Sequence, residues 1–60
     1  MSVYIVTKDA VPFCATFSRN EASAIFDDIV HSGRYRQAAT LVVSPLGDGY
    51  EVLQEAYKRA

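Results

Sequence analysis

The sequence predicts an α+β domain: an antiparallel sheet with one amphipathic helix on one face, in the order ββαββ, the last strand being alternatively a helix. Three observations carry this. Ser18 and Glu21 have capping-box spacing, Ala22, Ile25, Phe26 and Ile29 recur at helical steps, and Gly33 offers a left-handed stop, so a helix runs from Ser18 to Gly33. Two β-branched and aromatic runs, 3–7 and 12–17, precede it. A third, 38–44, follows it and leads through turn formers into another apolar stretch.

In the first strand Val3, Ile5 and Thr7 share one face, and Tyr4, Val6 and Lys8 the other. Both faces are partly apolar, as expected of a central strand or one whose second face meets a partner. Lys8 to Pro12 supplies a turn, with Asp9 as turn former and Pro12 at a strand entrance. In the second strand Phe13, Ala15 and Phe17 alternate with Cys14 and Thr16. Phe17 directly precedes the Ser18 cap and is expected to set the helix entry by packing on the first turn.

The helix stripe should lie on this hairpin, with Asn20, Ser23, Asp27 and Asp28 outward. Asp27 and His31 are four apart and can pair, and His31 suits the negative helix end. In the third strand Leu41 and Val43 oppose Thr40 and Val42; Pro45 ends it, and Leu46 to Gly49 is dense in turn formers. Residues 50–60 admit two readings. The Gly47-Asp48-Gly49 turn followed by Tyr50-Glu51-Val52 favours a hairpin strand. Tyr50, Leu53, Ala56 and Tyr57 also form a helical stripe, with Asp48 and Glu51 at cap spacing and Lys58 and Arg59 at a suitable C-terminus.

Sixty residues make a single domain, 1–60, and a chain of this size buries only about 60% of its unfolded surface. Such chains often lean on a disulfide, a metal or a second subunit. Cys14 is the single cysteine and His31 the single histidine, with no paired ligand spacing, so no metal or cofactor is expected and a partner or a homodimer is. No apolar run approaches the ~18 residues of a membrane span, and the amino terminus shows no signal-peptide pattern, so a cytoplasmic location is expected. A net charge of −1 argues against general capture of nucleic acid.

No set of residues makes a convincing catalytic site. Cys14, His31 and Asp28 are the types of a nucleophile, base and orienter, but the alternation points Cys14 away from His31. Asp27 and Asp28 diverge by about 100° on a helix, Glu51 and Glu55 read as a solvated face, and no Lys follows the Gly47-Asp48-Gly49 turn as a phosphate loop would need. The chain is therefore expected not to be an enzyme.

Recognition is the better reading. Arg34-Tyr35-Arg36 follows the helix, and two forked cations flanking an aromatic can grip a carboxylate or phosphate while the ring anchors or stacks. Lys8 or Arg19 could add to them. The same residues are also what a helix C-terminus favours electrostatically. Tyr4, Val6 and Val42 are assigned to a second, apolar sheet face left bare by the helix, a candidate interface.

A strand starting near Met1, a hairpin, Phe17-Ser18-Arg19-Asn20-Glu21-Ala22 leading the helix, and further strands resemble the small accessory proteins encoded by bacteriophages. That resemblance implies a modulator or inhibitor that binds a host protein in the host cytoplasm. The expected function is thus a small protein-binding module, with a nucleic-acid-binding protein using Arg34, Tyr35 and Arg36 as the alternative.

Overall fold

The computed structural model describes residues 2–45 and 49–58, so the expected turn at Leu46 to Asp48 lies outside the described residues. Its elements are β1 (Ser2–Lys8), β2 (Val11–Thr16), α1 (Arg19–Ser32), β3 (Ala38–Pro45) and β4 (Glu51–Tyr57). Residues 51–57 are a strand, which settles their two readings. The four strands form one antiparallel sheet in the order β2-β1-β3-β4, with α1 across one face. No helix among the described residues is long and apolar enough to cross a membrane.

Local chemistry explains the helix ends. Ser18 is the N-cap in extended conformation, and its Oγ accepts from the Glu21 N–H at 3.3 Å. The other half of the box is relayed. The Ser18 N–H donates to Thr16 Oγ1 at 3.1 Å, and that hydroxyl donates to Glu21 Oε2 at 3.2 Å. Thr16, rather than Phe17, therefore ties the sheet to the helix start, and Phe17 is left exposed. At the other end Gly33 has φ 68° and ψ 26°. Its N–H reaches Val30 O at 3.3 Å, and the Arg34 N–H reaches Ile29 O at 3.3 Å, the paired closure of a Schellman motif. His31 Nδ1 donates to the Asp27 carbonyl at 2.8 Å, so the expected pair forms with backbone and not with carboxylate.

The core lies between α1 and the middle of the sheet: Val6, Ala22, Phe26, Ile29, Ala39 and Leu41. Ala22 and Ala39, both fully buried, let the helix sit close to β3. Register decides which sheet face is covered. Val6 pairs with Leu41 and with Cys14, so all three share the helix side, while Ile5 pairs with Val42 and Ala15 on the open side. Two assignments to the bare face are thereby corrected. Val6 is 0% exposed beneath the helix, and Tyr4 packs against the same core. Val42 does lie on the open face, beside Ile5.

Two bulges break strict alternation. The β1–β2 register shifts between Val6 and Thr7, which leaves Phe13 without a partner and puts it on the helix side beside Lys8 and Ile25. Cys14 follows it onto that side against the core, contrary to the expected alternation. The β3–β4 register shifts between Leu41 and Val42, with Leu53 as the extra residue. Leu53 and Ala56 then both pack toward the helix-side core, a three-residue step within a strand. That step is what imitates helical spacing in the sequence.

Candidate functional site

The site lies at the end of the molecule where the β1–β2 turn, the helix C-terminus and the segment 34–37 meet. Asp9 organises it. Its carboxylate accepts from three successive backbone N–H groups: Arg36 at 2.9 Å, Gln37 at 2.7 Å and Ala38 at 3.2 Å. Its own N–H donates to Ala38 O at 2.8 Å. These donors hold the Asp9 carboxyl below its ordinary pKa of 3.8, the Arg36 and Gln37 N–H groups first among the causes. One turn residue thus fixes the chain that carries Arg34, Tyr35 and Arg36.

The tail of β4 closes the same corner. The Lys58 N–H donates to Gln37 O at 2.9 Å, and its Nζ donates to Gly33 O at 2.6 Å, on the carbonyl end of the helix. The same ammonium lies 4.9 Å from the centroid of the Tyr35 ring. Tyr35 is half-buried against the core. Its ring is therefore part of the scaffold, with a cation already on one side, and is not poised to stack on a base.

Arg34 and Arg36 remain exposed. Arg34 joins Lys8, Phe13, Ala24, Ile25 and Asp28 around a cleft of about 410 Å³ between the β1–β2 hairpin and α1. Phe13 is 56% exposed there, with Lys8 Nζ 5.1 Å from its ring centroid. Lys8, Arg34, Arg36 and Lys58 are four of the six basic residues of the chain. Asp28 is the cleft's acidic member, and the Asp9 carboxylate is occupied by backbone N–H groups. The result is a basic end on a chain of net charge −1. Arg19 does not belong to it: it opens a helix of 14 residues, some 20 Å long, whose other end lies at this corner.

The expected constellation of Arg34, Tyr35 and Arg36 is thus held together but divided in role, two exposed cations around a structural ring. Tyr4 and Val6 lie in the core, and Val42 lies on the opposite sheet face. Cys14 is half-buried beneath the helix, while His31 is exposed with its ring bonded to its own helix. Among the described residues no cluster of His, Cys, Asp and Glu could hold a metal ion. Asp9, Phe13 and Lys58 were not legible as site residues. Asp9 and Lys58 act on backbone far away in sequence, and Phe13 reaches the cleft only through a bulge. Comparison with protein-family models, with curated proteins and with solved structures finds no match to this chain.

Proposed function

We propose that this chain is a small protein-binding module that grips an acidic segment of its partner at the basic end. The observation that carries the reading is the convergence of Lys8 and Arg34 on a cleft with an exposed aromatic floor, with Arg36 held alongside by Asp9. An apolar anchor rimmed by cations is the chemistry of an acidic peptide that presents an apolar side chain. The finer reading is a bacteriophage-type modulator that alters a host protein by direct contact. It rests on the Phe17–Ala22 stretch and its architectural resemblance.

The test is affinity capture from bacterial lysate with three baits: wild type, Arg34→Glu/Arg36→Glu, and Arg19→Glu. A partner held by wild type and Arg19→Glu should bind the double variant about tenfold more weakly, a scale of ~1.4 kcal/mol. The same proteins on all three baits would refute the assignment. A nucleic-acid ligand would draw on the same arginines. Against it stand the net charge of −1 and the engagement of Tyr35 by the core and Lys58. Binding of DNA or RNA that falls steeply with salt and is lost in the double variant would establish it instead.

A further inference from the structure

We propose that the open face of the sheet is a self-docking surface, on which a second copy of this chain packs face to face. The helix covers only one side of the sheet. On the other, Ile5 and Val42 pair across the two central strands, with Val52 on β4 and Pro12 on β2 at the flanks. Val52 is 42% and Tyr50 74% exposed, while Val42 at the centre is 9% exposed.

The centre of this face is uncharged, and its carboxylate, Glu55, sits on the β4 edge. Thr7 and Thr40, near its centre, hydrogen-bond to each other through their hydroxyls. Glu55, which pairs with Thr40, is engaged by the Tyr57 hydroxyl. Among the described residues, none of those lining the shallow depression on this face is charged. A twofold pairing of identical faces needs a surface complementary to itself. A flat sheet face whose central strands carry Ile5, Val42, Thr7 and Thr40 can meet a copy of itself across a twofold.

The areas agree. Four strands at ~4.8 Å spacing, about seven residues long at ~3.3 Å per residue, give a face of roughly 440 Å² in projection. With side-chain relief, two such faces remove roughly 1,000–1,200 Å² of accessible surface, at the threshold of specific association. Two sheets packed this way, each backed by a helix, would make the layered core that one chain is too small to build. The basic end belongs to the other side of the sheet, so this pairing and the proposed partner contact stand or fall separately.

Sedimentation equilibrium and light scattering test the pairing. Wild type should be a dimer of the 6.6 kDa chain at about 100 µM, in the affinity range open to an interface of this area. Val52→Lys and Thr40→Lys should each weaken dimerisation at least about tenfold, since the twofold places every new charge in the interface twice. Thr40→Lys is expected to fold because Glu55 lies directly across from it. Circular dichroism checks this, and Val52→Lys decides if it does not fold. Arg19→Glu should leave the dimer intact. A wild-type monomer at that concentration overturns the proposal. So does a dimer that the folded variants fail to weaken, because it would then pair through an edge strand or the helix side.

Discussion

The β1–β2 turn makes opposite demands on its two residues, and glycine substitution separates them. Asp9 and Ala10 both have positive φ, 54° and 67°. This is the type I′ arrangement, whose twist matches that of the flanking strands. A Cβ at positive φ crowds the following carbonyl, at about 1–2 kcal/mol for an ordinary residue. Ala10→Gly removes that strain. It also frees the unfolded chain, which takes back about 0.4–1 kcal/mol. The net expectation is a gain of about 0.5–1 kcal/mol, or roughly 3–6 °C in Tm for a domain this small. Asp9→Gly relieves less strain, because aspartate tolerates the left-handed region better than alanine, and it deletes the carboxylate that receives the N–H groups of Arg36, Gln37 and Ala38. It should therefore fall below wild type, not rise above it.

Urea and thermal unfolding followed by far-UV circular dichroism measure both variants. Protein concentration must be held fixed, because self-association would raise Tm with concentration. An Ala10→Gly variant no more stable than wild type would mean that the turn carries no strain worth relieving. An Asp9→Gly variant as stable as Ala10→Gly would mean that the carboxylate does not hold residues 36–38 or the basic end they carry.

The remaining expectations concern the same links. Asp9 has a folded-state pKa below 3.8, so its contribution is complete above that value and is lost as pH falls through the lowered one; the gap in stability between wild type and Asp9→Asn should be widest near neutrality and narrow as acid protonates the carboxylate. Phe26→Ala, at a ring 6% exposed between α1 and the sheet, should cost about 3–5 kcal/mol and leave the chain largely unfolded without denaturant, as one-dimensional NMR would show at once. Ser18→Ala should cost about 1 kcal/mol in urea unfolding. Thr16→Val should also destabilise, because the hydroxyl joins the Ser18 N–H to the Glu21 carboxylate; if it is neutral, the relay contributes nothing.

The helix and the strand order along the chain were legible because their signals are local. Ser18, Glu21, the apolar stripe and Gly33 lie within one helix length, and each depends on neighbours three or four residues away. Which sheet face the helix would cover was not legible. Tyr4 and Val6 are as apolar as Val3 and Ile5, so alternation in β1 alone does not rank the two faces. The ranking comes from register, a non-local quantity. Once Val6 is set opposite Leu41, the Ala39-Leu41-Val43 side of β3 must be the helix side, and Thr7 and Thr40 go to the other. The bulges added a second error of the same kind. Each inserts one residue that alternation counts as ordinary, and so misplaces Cys14 and makes Leu53 and Ala56 look helical.

The site was half legible for a related reason. Arg34 and Arg36 announce themselves as cations past a helix end, but the sequence places Asp9 only in a turn. Its carboxylate reaches backbone 27 to 29 residues further on, and no residue type in 36–38 signals that, since any non-proline residue has the N–H it needs. This capture also shapes the electrostatics. A free carboxylate beside Arg36 would attract its guanidinium and blunt the local potential. Bound to three amide N–H groups, the Asp9 oxygens are turned to the backbone, so the carboxylate acts on Arg36 through its field and the guanidiniums stay exposed. Asp9→Asn should then have two separable effects if the basic end is the contact surface. The loop should loosen, while the field at the cleft becomes more positive by one charge. An Asp9→Asn protein that binds an acidic partner no differently at low and high salt would show that the field at this corner does not govern binding.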